Sequence, residues 1–143
     1  MLRNISTVIS PELLDALYRM GHGDEIVLAD AFFAGDSLGK RVIRADGIKV
    51  VPLLEGIMPL ITLDKYCKTP LFMMQPEPGD ELDEALEREY RFAIDKTWPQ
   101  TPPITRVERF AFYEQARKAF AVVMTGEVRK YANIILKKGV IDR

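Results

Sequence analysis

The sequence predicts an α/β fold, a three-layer sandwich around a mixed or mostly parallel sheet. Segments with apolar residues at helical spacing alternate along the chain with short, partly β-branched apolar runs. No internal repeat or low-complexity tract competes with that pattern. A chain of 143 residues is also of a size to bury one core without disulfide or metal support, so residues 1–143 are read as a single domain.

The first helix opens at Ser10-Pro11-Glu12: a capping hydroxyl, a proline where no N–H is needed, and an acid near the positive end of the helix dipole. Leu13, Leu14, Leu17 and Met20 recur at helical spacing, and Gly21 is expected to end the helix in a left-handed conformation. Glu25–Ala31 reads as a strand, which puts His22 in the turn before it and Asp30 at its far end. Phe32–Lys40 (FFAGDSLGK) reads as a loop and Arg41–Ala45 as a short strand. Pro52–Ile61 reads as a buried helix carrying Leu53, Leu54, Ile57 and Leu60, with a kink or early stop at Pro59. Thr69–Gln75 is a candidate strand, PEPGD (76–80) punctuates the chain, and Leu82, Leu86, Tyr90 and Ile94 mark an amphipathic helix. WPQTPP (98–103) is a stiff connector. Arg109–Lys118 suits a helix, Ala119–Met124 a buried strand, Thr125–Glu127 a turn and Asn133–Leu136 a final strand.

Composition narrows the function. Hydrophobic residues make up 48%, charged residues 29%, and the net charge is −1, a globular mixture that argues against a nucleic-acid partner. No apolar run approaches the roughly 20 residues of a membrane span. The stretch MLRNISTVIS lacks the apolar core and cleavage site of a signal peptide, and the lone Cys67 can form no internal bridge, so a reducing, cytoplasmic setting is expected.

Several chemistries fail on inventory. There is no GxxxxGK[ST] phosphate loop, no GxGxxG after a strand, no paired CxxC and no GxSxG nucleophile elbow. With one histidine and one cysteine, a transition-metal site would need an all-carboxylate shell, for which no spacing is present, so neither a metal nor a cofactor is expected. His22, the only histidine, lies between two glycines in MGHGDE and can form a proton-transfer pair with Asp30. The plainer readings are a surface or capping histidine and a turn-forming aspartate. Tyr113 and Tyr131 can donate hydrogen bonds to a polyhydroxylated ligand or serve as core or interface aromatics. Arg109, beside Phe110 and Phe112, can cap or screen its helix.

Four stretches point the same way together. SPELLDALYRMGHGDEIVLADA, IRADG, RFAFYEQARKAFAVVMTGE and YANIILKKGV resemble the RbsD/FucU sugar mutarotase family, and within it the L-fucose mutarotase branch, from about Asn4 to Val140. The resemblance implies a cofactor-independent isomerase that interconverts the α and β anomers of an aldose. It places a general acid/base on His22 and a second proton donor on Tyr113, with sugar binding by Asp30, Arg109, Tyr131 and Asn133. It also implies self-association into a ring, typically a decamer of two stacked pentamers, with sites completed across subunits.

That chemistry suits the residue set. Mutarotation removes a proton from the anomeric hydroxyl, gives one to the ring oxygen, and reverses both steps after the aldehyde rotates. General acid/base help of about 10²- to 10⁴-fold suffices for a reaction that already proceeds in water. One position departs from the pattern: the fucose branch commonly has Gly between the Tyr and Asn of the terminal turn, whereas this chain has Ala132, as in the ribose pyranase branch. MGHGDE and RFAFYE favour fucose. The alternatives are a D-ribose pyranase-type mutarotase, a non-catalytic monosaccharide-binding module, and an oligomeric scaffold with a vestigial site.

Overall fold

In the computed structural model, which describes residues 1–142, Ser10 caps the first helix as its sequence requires. Its Oγ accepts the Leu13 amide at 3.1 Å, and Pro11 opens α1 (Pro11–Arg19). The helix ends at Met20, in extended backbone. The left-handed residue of the turn is Gly23, at φ 88°, and not Gly21: the chain leaves the helix extended and reverses direction only when it must enter the sheet.

The other elements are β1 (Glu25–Ala29), α2 (Gly35–Leu38), β2 (Val42–Ala45), α3 (Val50–Ile57), β3 (Leu71–Met74), α4 (Glu84–Asp95), β4 (Thr105–Val107), α5 (Arg109–Lys118), β5 (Ala121–Thr125) and β6 (Ile134–Lys137). They form one six-stranded sheet in the order β2-β5-β1-β6-β3-β4. β1 pairs parallel with β5, β5 with β2, and β3 with β4, while β6 runs antiparallel to both β1 and β3. The sheet is mixed and mostly parallel, as the alternation of elements predicts.

Both faces of the sheet are covered. Ile26, Leu28, Ala121, Val123, Ile134 and Leu136 join a core built with α1, α3 and α4. The alternate residues Val27, Ala29, Val122, Met124 and Ile135 face a smaller core with Phe33, Phe112 and Ala116 from the α2 and α5 side. This two-sided burial explains why the strands read as unbroken apolar runs. Each fully buried leucine or isoleucine of α3 contributes roughly 1.5–3 kcal/mol by leaving water.

Two expectations about the elements are corrected, and one further element appears where the sequence reading assigned none. Within Phe32–Lys40 the chain forms the one-turn helix α2, where Gly35 lies so close to β5 that a Cβ would collide with the Met124 sulfur. Four residues are too few to show a helical period in sequence. The third helix begins at Val50 and not at Pro52, which falls in its first turn, and it stops at Ile57, ahead of Pro59: of the expected kink or early stop, the early stop is what forms. The stretch before Arg109 holds the edge strand β4, whose three half-exposed residues carry no alternation. Among the described residues no helix is long and apolar enough to cross a membrane.

Candidate active site

The sheet architecture brings one set of functional side chains to a single end. β1 and β3 finish there, β6 begins there, and α5 starts there after β4. Asp30 is the first residue beyond β1, and three hydrogen bonds fix the backbone around it. Thr125 Oγ1 donates to the Ala29 carbonyl (2.7 Å), the Ala31 N–H donates to the Glu127 carbonyl (2.7 Å), and the Asp30 N–H donates to Asn133 Oδ1 (2.7 Å). Asp30 and Asn133 are both buried. Burial pushes the Asp30 carboxyl above the ordinary carboxylate range, against the pull of the Phe32 and Ala132 amides.

α5 supplies two more groups. Glu108 caps it by accepting the Ala111 N–H, which sets Arg109 and Tyr113 one turn apart on one face. Arg109 Nε donates to the Tyr113 hydroxyl at 3.0 Å, and its guanidinium lies 3.7 Å from Glu77. The bond to Tyr113 is the main reason the Arg109 pKa rises. Because the Tyr113 oxygen accepts from Arg109, its own proton stays available to a ligand.

Tyr131 sits in left-handed backbone at φ 57°, in the turn leading to β6. The next residue, Ala132, is fully buried and its carbonyl accepts the Tyr90 hydroxyl at 2.9 Å, which anchors the turn in the core. The Tyr131 hydroxyl donates to Asp80 (2.7 Å) and accepts the Glu77 N–H (3.1 Å), so it clips down the 76–80 segment. The Glu77 amide alone would ease ionisation of this phenol, but the Asp80 carboxylate outweighs it and the pKa rises; the same bond lowers that of Asp80.

Asp30, Arg109, Tyr113, Tyr131 and Asn133 line one cavity of about 320 Å³, within the roughly 300–1,000 Å³ of small-molecule sites. Phe32, Phe33 and Met74 give it an apolar wall, and Glu77, Asp80 and Lys130 complete the lining. Donors and acceptors of both charges, beside aromatic carbon, suit a neutral polyhydroxylated ligand. Glu77 and Asp80 escape sequence reasoning because PEPGD reads as turn punctuation; two acids among its five residues were the available signal. A larger hollow of about 800 Å³ lies beside Phe92, Glu127 and Arg129. There Arg129 is already paired with both Glu127 and Glu89, and none of the sequence-predicted site residues is present.

His22 is not brought to this cavity. It precedes β1 and Asp30 follows it, so the five residues of the strand, at about 3.3 Å each, hold the two at opposite ends of the sheet. The proton-transfer pair His22–Asp30 is therefore not formed within one chain. Instead His22 Nε2 lies 3.1 Å from Asp64 Oδ1, and its ring meets Tyr66 edge-on at 5.6 Å. Among the described residues no group of three or more His, Cys, Asp or Glu side chains is placed to hold a metal ion.

The chain is similar to known proteins over nearly its whole length. Residues 3–141 match the model of a family described as the RbsD / FucU transport protein family. An L-fucose mutarotase of Actinobacillus pleuropneumoniae serotype 5b is 57% identical over 140 residues, 98% of this chain and 97% of that one. One from Glaesserella parasuis serovar 5 is 56% identical, over 98% and 96%. The crystal structure of a fucose mutarotase from Streptococcus pneumoniae in complex with L-fucose superposes with a TM-score of 0.92 at 43% identity, over 99% of this chain and all of that one. Bacillus subtilis RbsD complexed with D-ribose shares the fold, with a TM-score of 0.72 at 19% identity over 99% of this chain and all of that one.

Proposed function

This chain belongs to the RbsD/FucU family, and on that premise we propose that it interconverts the α and β anomers of L-fucose, as a cofactor-independent isomerase. The observation that carries the proposal is the single cavity at the carboxyl ends of β1 and β3, where five of the six residues singled out in the sequence converge. Similarity to L-fucose mutarotases over nearly the whole chain supports fucose over ribose, for which only the fold speaks.

The residues divide the work. Asp30, rigid and buried, and Asn133 beside it engage sugar hydroxyls. Tyr113 donates its proton to the ring oxygen as the ring opens, with Arg109 holding its oxygen from behind. Tyr131 keeps the 76–80 wall closed and has one lone pair left for a hydroxyl. His22 takes the proton of the anomeric hydroxyl and returns it on closure. Since one chain keeps His22 at the other end of β1, it enters the cavity from a second copy. This supports the ring assembly, a decamer, with sites completed between subunits. Exposed Tyr18, Tyr66, Phe92 and Phe110 are candidate contacts for such an assembly. The unpaired Cys67 supports a cytoplasmic setting.

The test is NMR saturation transfer between the α and β anomeric protons of L-fucose and, separately, D-ribose, with wild type and His22→Ala. Acceleration by wild type with fucose, lost in His22→Ala, is expected. Acceleration with ribose alone would reassign the sugar. No acceleration with either would leave a monosaccharide-binding module. Light scattering that returned a monomer would overturn the shared site.

A further inference from the structure

We propose that Asp64 is a positioning residue for the reaction: its carboxylate holds the His22 imidazole through Nε2–H and leaves Nδ1 unprotonated as the base. This rests on the reading of His22 as the acid/base group.

The two side chains, 42 residues apart in sequence, meet at 3.1 Å. The Asp64 side chain is only 7% exposed, while that of His22 is 47% exposed, so the pair has a sheltered acceptor and an accessible ring. Asp64 Oδ1 also accepts the Tyr66 N–H at 3.1 Å, and the Tyr66 ring closes on the imidazole from the side. The ring is thus held by one nitrogen and one edge, and Nδ1 has no hydrogen-bond partner among the described residues. Burial alone would raise the Asp64 pKa, but donation from the Tyr66 amide, His22 and Cys67 outweighs it and keeps the group ionised, hence an acceptor only. An acceptor opposite Nε2 requires the proton on that nitrogen.

The geometry is built from backbone, beyond the two side chains. The continuation of β6 ties both segments to one place. The Gly23 N–H donates to the Lys138 carbonyl (2.8 Å), and the Lys138 N–H donates to that of Asp24 (2.9 Å). On the other side the Asp64 N–H donates to the Lys137 carbonyl (3.0 Å), and the Gly139 N–H to that of Thr62 (2.7 Å). Gly139 is a glycine for this reason: a Cβ there would come 2.7 Å from Asp64 Cα. Lys138 Nζ donates to the Leu17 and Met20 carbonyls, closing the end of α1 beside the histidine turn. A half-exposed polar pair retained for stability alone contributes about 0–1 kcal/mol and needs no such support; a base that must meet a substrate from a fixed direction does.

Because His22 is the only histidine, the tautomer can be read directly. Long-range ¹H–¹⁵N NMR of the uniformly labelled full chain is expected to show the neutral ring protonated at Nε2; an Nδ1–H ring overturns the proposal without any variant. Asp64→Asn keeps the shape but offers an amide that can donate to Nε2. It is expected to shift the tautomer and to lower kcat for L-fucose anomer exchange on the order of 10- to 100-fold, as when other carboxylates that orient an imidazole are removed, with KM within about threefold. His22→Ala is run beside it. If His22→Ala is inert while Asp64→Asn keeps wild-type kcat and tautomer, the positioning role alone is wrong. If His22→Ala turns over like wild type, the catalytic reading of His22 fails and the proposal falls with it.

Discussion

Replacing Asn133 by alanine tests whether the sugar site is preorganised by its own backbone. Asn133 Oδ1 is the acceptor for the Asp30 N–H at 2.7 Å, and the two residues are only 4% and 6% exposed. Without it, that amide is left unpaired where water has little access, a loss of about 1–3 kcal/mol. For a chain of this length, each kcal/mol lowers the melting temperature by about 3–4 °C, so Asn133→Ala should melt about 3–12 °C below wild type. Asp30 would also lose its fixed direction, and L-fucose binding should weaken in the same variant. Asn133→Asp separates the two effects. It keeps an acceptor for the Asp30 N–H but sets a second carboxyl against a buried one, so its stability should be closest to wild type in acid and fall as pH rises. Near-ultraviolet circular dichroism at matched protein concentration gives the melting temperatures, and NMR titration with L-fucose gives the affinity. If Asn133→Ala melted within about a degree of wild type and bound fucose normally, water would be serving the Asp30 amide and the reasoning would be refuted.

Two other charged positions carry predictions of opposite sign. Since burial raises the Asp30 pKa, its favourable contribution is fully present below the unfolded value of about 3.9 and is lost as pH rises through the folded one. Asp30→Asn should therefore melt at or above wild type at pH 7 while anomer exchange is lost; a variant several degrees less stable there would contradict the buried-charge account. Glu127 is the reverse case. Burial would raise its pKa, but Arg129 outweighs this and holds it low, so its contribution is present above about 4.3 and fades as pH falls. Arg129→Met strands that carboxylate at 1% exposure and should cost about 3 kcal/mol at pH 7, and less at pH 4, by urea titration; equal losses at both pH values would mean the salt bridge is not the cause.

Local signals were legible where a residue's role depends on its near neighbours in the chain. Ser10-Pro11 caps α1, and the apolar runs read as strands at 25–31 and 119–124 became the neighbouring strands β1 (Glu25–Ala29) and β5 (Ala121–Thr125). Arg109 and Tyr113, four apart on a helix, were bound to share a face. The short elements α2 and β4 were not legible, because four and three residues cannot display a period. PEPGD was read correctly as a turn, but its second role, a wall clipped to Tyr131, depends on a residue more than 50 positions away.

The sequence by itself determined the fold class, the family and the chemical inventory of the site: carboxylate, amide, guanidinium, phenol and a single imidazole. Only the tertiary structure decided how these are grouped. By inserting β6 antiparallel between β1 and β3, the fold carries Asn133 to the end where Asp30 lies, and sends Lys138 to the end where His22 and Asp64 meet. Side-chain periodicity reports which face of a strand is buried. It carries no information on which strand lies alongside or in which direction, because those choices depend on hydrogen bonds between segments distant in sequence.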